Sequence, residues 1–402
     1  MEKTTKQMKV WRVVAIITIC ALLTVSTLYA AGVGWKQTES VCADKTAPAD
    51  ETAPADETVP ADENVTIDGN DALSLWNDGT GAKKNLIDYV SAVTTDGSAD
   101  FIPVDDRIAV FDMDGTLACE TFYTYYDTMM FIEYCLHDHP ERVSDELKEV
   151  AASIKPGYVA DETLARNFAK AYAGMTVEEF YNYAVEFGKK ETASFNNMRY
   201  IDNFYLPMAE LVEYLYDNGF TIWVISGTER TTTRAIVANS PIKDYVEPEH
   251  VIGTDFEVKV KGHEDEPSNM DFKYENGDEL VLTGGFIQKN LNANKSIYVE
   301  REIGKRPVLA FGNSGSDTSM MNYALDERNP YKAQAYMVVA DDNVREWGTQ
   351  DFKEKSEEYT EKGFISISMK DDFAKIYPDE ITKAEQQYIP DDAQSEDTAK
   401  AA

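Results

Sequence analysis

Histidine and cysteine are scarce in this sequence, with four of each among 402 residues. The cysteines, Cys20, Cys42, Cys119 and Cys135, form no Cys-x-x-Cys pair and no zinc-type spacing, so neither a disulfide framework nor a zinc module is encoded. His137-x-His139 is a close histidine pair without a third ligand nearby, and it reads as a surface turn. Positive charge is also in short supply. Against 72 Asp and Glu stand 38 Lys and Arg, a formal net charge of -34, and no basic block stands out beyond the N-terminus. A nucleic-acid backbone is therefore excluded as a partner, whereas small cationic or zwitterionic molecules are not.

What is present falls into segments. Lys3, Lys6, Lys9 and Arg12 precede a run without charge from Val13 to Trp35, long enough to span a bilayer at about 1.5 Å per helical residue. Residues 1–35 are expected to be a signal peptide or an N-terminal membrane anchor. The basic flank puts the body outside the cytoplasm, either anchored or secreted. Residues 36–71 contain near-copies of a Pro-Ala-Asp-Glu unit (APADET, APADET, VPADEN) whose stiffness and like-charge repulsion favour a disordered acidic spacer. Residues 391–402 read as a flexible tail.

Between them the pattern is that of an α/β protein. Ile108 to Phe111 is a short, wholly apolar run of the kind found in a parallel sheet covered on both faces. Further strands are expected at Thr221 to Ser226, His250 to Phe256, Glu279 to Leu282, Pro307 to Phe311, Ala335 to Ala340 and Phe364 to Ser368. Helices are expected at Leu206 to Asn218 and Ser296 to Gly304 and after Thr228. Residues 120–193 have helical periodicity, with Thr176-x-x-Glu179 in the form of a capping box. The division expected is a Rossmann-like, mostly parallel core over 72–119 and 194–390, with a helical cap inserted at 120–193.

Chemistry gathers at the carboxyl ends of three apolar strands, the edge where open α/β sheets bind ligands. Asp112 and Asp114 follow the first and, with alternating side chains, point into one crevice. Ser226, Gly227 and Thr228 follow the second, ahead of a helix start at Glu229 whose free N–H groups make a phosphate site. Asn313, Ser314 and Asp317 follow another. Converging acids suit Mg²⁺, a hard cation that takes oxygen ligands, and a carboxylate can attack phosphorus to give an acyl phosphate. Lys295 would offset the negative charge gathered there. An EF-hand is excluded because Leu117 occupies the sixth loop position, where glycine is needed.

Asp-Met-Asp-Gly-Thr (112–116), Ile-Ser-Gly-Thr (225–228), Lys295 and Gly-Asn-Ser-Gly-Ser-Asp (312–317) resemble, in order, motifs one to four of the haloacid dehalogenase superfamily of phosphatases. The inserted cap is similar to that of the phosphoserine phosphatase branch. The resemblance implies Asp112 as nucleophile and metal ligand, and Asp114 as general acid and base, ligating metal through its backbone carbonyl. It also implies Ser226 and Gly227 with Lys295 at the phosphoryl group, Asp317 as a further ligand of Mg²⁺, and Asn313 in place of that motif's first acid. Glu120 falls one residue earlier than the glutamate with which that branch meets a substrate amine. Phe122, Tyr123, Tyr125, Tyr126 and Tyr134 could line an aromatic pocket for a cation, or, at helical spacing, form cap core. A thiolate mechanism fails, since Tyr125 and Glu141 stand six residues after Cys119 and Cys135, where arginine is required.

The expected function is an exported, Mg²⁺-dependent phosphomonoester hydrolase. Its partner is a small phosphomonoester such as phosphoserine, phosphoethanolamine or phosphocholine, and membrane contact runs through the N-terminal segment alone. A broad acid phosphatase, a phosphotransferase or phosphonate-cleaving relative, and a non-catalytic surface binding protein on the same fold are the alternatives.

Overall fold

The computed structural model describes residues 72–120, 124–158 and 161–385. The expected export segment, the acidic spacer, Phe122, Tyr123 and the tail lie outside the described residues. Among the described residues no helix is long and apolar enough to cross a membrane.

A seven-stranded sheet forms the centre. In chain order its strands are β1 (Ile108–Phe111), β3 (Thr221–Glu229), β4 (Val251–Val260), β5 (Leu280–Gln288), β6 (Leu309–Gly312), β7 (Gln334–Val339) and β8 (Ile365–Ser368), arranged 5-4-3-1-6-7-8. All neighbours are parallel except β4 and β5, an antiparallel hairpin. β1 shows why its sequence lacks alternation. Ala109 and Phe111 enter one hydrophobic cluster, Ile108 and Val110 a second, so both faces of the strand are covered. Phe111, Phe311 and Tyr336 are in register across β1, β6 and β7, stacked at 4.3 Å and 5.1 Å between ring centroids. That ladder fixes the relative heights of the strand ends that carry the acids.

Between β1 and β3 lie the helices α2 (Tyr126–Glu133), α3 (Asp145–Ser153), α4 (Glu162–Ala171) and α5 (Val177–Gly188). The capping box at α5 is formed: Glu179 N–H donates to Thr176 Oγ1 at 3.0 Å and Thr176 N–H to Glu179 Oε2 at 2.8 Å. The α4–α5 connection also joins the hairpin, since Gly174 N–H donates to Leu282 O and Leu282 N–H to Met175 O. A helix α1 (Gly81–Thr94) precedes β1, and α6 (Leu206–Asp217), α7 (Arg230–Ala238), α8 (Ala293–Tyr298), α9 (Thr318–Leu325) and α10 (Phe352–Glu361) complete the layers. A two-stranded patch pairs β2 (Phe195–Asn196) with β9 (Thr382–Lys383).

Several boundaries differ from the expectations. β3 continues past Ser226 to Glu229 through an irregularity in its pairing with β4. β5 runs to Gln288 across Gly284, whose φ of +85° lets the strand kink rather than stop. The helix carrying Lys295 begins at Ala293, not Ser296, and after Tyr298 widens into a π turn, Val299–Ile303, closed by left-handed Gly304.

Candidate active site

β1 delivers Asp112, whose N–H continues the ladder to Phe311 O at 2.9 Å. The chain then turns tightly, with Met113 O accepting from the N–H groups of Thr116, Leu117 and Ala118. Gly115 is required there. Its φ is +82°, and a Cβ would stand 1.9 Å from Asn313 Nδ2.

Beneath the crevice lies a buried charge cluster. The fully buried Lys295 ammonium donates to Asp112 Oδ1, to Asp317 Oδ1 at 2.7 Å and to Ile225 O at 2.8 Å. Asp317 Oδ2 accepts from the N–H groups of Asn313 at 3.1 Å and Ser314 at 3.0 Å, and Thr116 Oγ1 donates to Asp112 Oδ2 at 3.2 Å. Asp114 Oδ2 accepts from Thr228 Oγ1 at 2.8 Å, and its Oδ1 is buried without a partner.

Above this floor is a cavity of about 220 Å³, walled by Asp112, Asp114, Glu120, Asp127, Thr228 and Lys289 among others. The first motif and Asn313 face this space together. Ser226, Lys295 and Asp317 lie just behind the wall, fully buried. Ser226 Oγ accepts from Thr228 N–H at 3.0 Å, so Gly227 and Thr228 form the wall itself. The expected free helix N-terminus is corrected. Glu229 caps α7, accepting from Thr232 N–H at 2.8 Å, so a carboxylate already occupies those donors and the turn ahead of it is left to face a ligand. Asn313 Nδ2 donates to Glu120 Oε1 at 2.8 Å, which ties Glu120 to the fourth motif.

The aromatic residues divide. Tyr125 lines the cavity, whereas Tyr126 is buried with its hydroxyl on Ala184 O, and Tyr134 packs edge-on against Tyr172 and Tyr183 in the helical layer. Two charged residues of the cavity were not singled out from the sequence. Asp127, in the first turn of α2, reads there as an ordinary acidic helix start. Lys289 reads as a surface lysine, yet it is buried and donates to Gly227 O at 2.9 Å.

Crowded acids in a dry site hold protons tightly. Burial, then the charge of Asp317, raises Asp112, with Lys295 pulling the other way. Burial and the charges of Asp127 and Asp112 push Asp114 up to about 8, and burial with Asp112 does the same for Glu120, also to about 8. Burial works against the charge on Lys295, but Asp112 and Asp317 outweigh it and hold that amine above its ordinary range. Burial lowers Lys289. Because folding raises Asp114 and Glu120, their contribution to stability is present below the ordinary carboxylate range near pH 4 and is lost as pH rises through about 8. In chelator, the melting temperature should therefore fall between pH 5 and pH 8, less steeply in Glu120→Gln. An identical slope in that variant would remove Glu120 from the cluster.

Among the described residues no three His, Cys, Asp or Glu side chains stand together as a metal cluster. The donors that are present fit a hard cation. Asp114 carries a buried oxygen without a partner, the carboxylates of Asp112 and Asp317 share the Lys295 ammonium that balances part of their charge, and the Asn313 amide lines the cavity beside Asp112.

A conserved protein of unknown function from Anaerococcus prevotii shares 12% identity over 71% of this chain and 91% of its own, with a TM-score of 0.43. One of unknown function from Bordetella pertussis shares 14% over 65% and 97%, at 0.42. A phosphoserine phosphohydrolase-like protein from Francisella tularensis shares 16% over 58% and 88%, at 0.30. No curated protein matches the chain. The sequence itself decides: residues 109–322, more than half the chain and spanning all four motifs, match the family described as haloacid dehalogenase-like hydrolase. The chain belongs to that family.

Proposed function

We propose that the protein is a Mg²⁺-dependent phosphomonoester hydrolase that works through a phosphorylated Asp112. The observation that carries the reading is the pairing of two unlike carboxylates on one cavity. Asp112 is braced by Lys295 from below, and Asp114 is held by Thr228 with its pKa pushed up to about 8. In the first step an Asp112 oxygen attacks phosphorus while Asp114, protonated at neutral pH, gives its proton to the departing alkoxide. In the second, Asp114 takes a proton from water, which attacks the same phosphorus and frees Asp112 and phosphate. Lys295 offsets negative charge throughout. Asp112 and Asp317, with Asn313 and the Asp114 carbonyl, would hold Mg²⁺, which supplies further neutralisation of the phosphoryl oxygens.

A panel of phosphomonoesters assayed with Mg²⁺ and with EDTA tests this reading. Hydrolysis is expected with Mg²⁺ and its loss in chelator. The ion should also raise the melting temperature more at pH 8 than at pH 5, because it competes with protons for the same carboxylates. Full activity in chelator, or a Mg²⁺ shift independent of pH, would contradict it.

For substrate we infer a small phosphomonoester with a positively charged head, such as phosphoserine, phosphoethanolamine or phosphocholine. Glu120 and Asp127 put two carboxyl groups on the cavity wall beside the ring of Tyr125, and a cationic head entering there would favour the ionised forms that burial disfavours. Glu120→Gln and Asp127→Asn should each lower kcat/KM for phosphoethanolamine about tenfold, the equivalent of roughly 1.4 kcal/mol, with little change for glycerol phosphate. Equal losses on both esters would mean that the wall does not read charge. The basic flank and uncharged N-terminal run support action outside the cytoplasmic membrane, anchored or secreted.

A further inference from the structure

Three successive carbonyls at the end of β3 are each held by a side chain from elsewhere in the chain. Ile225 O accepts from Lys295, Ser226 O from Asn290 Nδ2 at 3.0 Å, and Gly227 O from both Thr254 Oγ1 at 2.6 Å and Lys289 Nζ at 2.9 Å. Apart from Lys295, these donors all come from the base of the β4–β5 hairpin: Thr254 lies within β4, and Lys289 and Asn290 directly follow β5. They are connected, since Thr254 Oγ1 also accepts from Asn290 N–H at 3.1 Å.

The arrangement matters for an anion. Carbonyl oxygens at the carboxyl end of a strand carry partial negative charge, and a phosphoryl group arriving there is repelled unless they are turned aside and covered by donors. Gly227 has no side chain of its own to fix its peptide planes, so the partners of its carbonyl set them. The next residue, Thr228, lines the cavity and donates to Asp114, so the same restraint fixes that hydroxyl. Asn290 is fully buried, and its Oδ1 has no partner. A buried acceptor left unsatisfied is unfavourable, and a position that tolerates this for the sake of one donated bond is typical of a functional site.

We propose that Asn290 and Thr254 are positioning residues for phosphoryl binding, a hairpin-borne clamp that holds the Ser226–Gly227 peptides so that the turn before Thr228 is preorganised for a phosphoryl oxygen. The proposal rests on the phosphoryl reading of the cavity. It is tested by calorimetric titration of the purified full chain, in Mg²⁺, with inorganic phosphate. The wild type should bind. Thr254→Val and Asn290→Leu, which remove the donors at similar volume, should each raise Kd about tenfold. Thr254→Ser, which keeps the hydroxyl, should restore it. In turnover the two variants should raise KM more than they lower kcat, and circular dichroism should be unchanged. Wild-type phosphate affinity in folded Thr254→Val overturns the clamp. If Asn290→Leu does not fold, the Val and Ser variants at Thr254 decide. Absence of phosphate binding in the wild type overturns the reading beneath it instead.

Discussion

Asp112→Asn is expected to lower kcat toward any phosphomonoester by about 10⁴-fold or more, because in the proposed mechanism it removes the atom that forms the bond to phosphorus. In the proposed mechanism three neighbouring acids are otherwise engaged. Asp114 is bound to Thr228 and needed as the proton donor, Glu120 is tied to Asn313, and Asp317 lies behind the wall with both oxygens engaged. The fold should survive. Asparagine has the same shape, Lys295 keeps Asp317 and Ile225 O as partners, and the burial that raises Asp112 means that a neutral side chain is tolerated there. Steady-state kinetics with p-nitrophenyl phosphate beside a circular dichroism melt would check both halves. A folded variant retaining more than a few per cent of wild-type kcat would exclude Asp112 as nucleophile.

Lys295→Met should have the largest effect on stability. The ammonium is fully buried and is the ion-pair partner given to both Asp112 and Asp317, of which Asp317 is itself fully buried. Removing it leaves two close carboxylates in a dry site, and breaking a buried pair in this way costs about 3–5 kcal/mol. The deficit should shrink at low pH, because burial and the charge of Asp317 raise Asp112 and a protonated Asp112 needs no counter-ion, and activity should be lost at every pH at which the protein is folded. Urea denaturation at pH 5 and pH 8 separates this from simple loss of packing. Equal destabilisation at both values would show that charge balance is not what Lys295 supplies.

The parts of the molecule legible from sequence are those where one residue type has one physical reason to be present. Two acids at the end of Ile108–Phe111 and a glycine after them read as a ligand-binding turn rather than a solvated one, and Gly115 is pressed between Asn313 and Glu120. Thr176 and Glu179 announced their helix because a capping box is local. What escaped depends on distant chain. Lys289 and Asn290 are an ordinary polar pair until β5 is seen to carry them against the carbonyls of β3. Asp127 becomes a cavity residue only because α2 turns its first turn inward over the core. The capping of α7 by Glu229 was hidden for a similar reason: a carboxylate before a helix reads equally as a cap or as a solvated residue, and burial distinguishes them. The aromatic run after Glu120 was ambiguous at helical spacing, and it splits between pocket and core at Tyr125 and Tyr126.

The most direct measurement is the covalent state of Asp112 during turnover. Enzyme mixed with excess p-nitrophenyl phosphate and Mg²⁺, quenched in acid within a turnover and digested with pepsin, should yield the peptide containing Asp112 with the added mass of one phosphoryl group, located on that residue by fragmentation. The adduct should be absent from Asp112→Asn. It should accumulate in Asp114→Asn supplied with this ester, whose leaving group needs no proton, because the water of the second step then lacks its base. Hydrolysis at full rate with no phosphorylated Asp112 peptide in wild type or in Asp114→Asn would contradict the two-step mechanism.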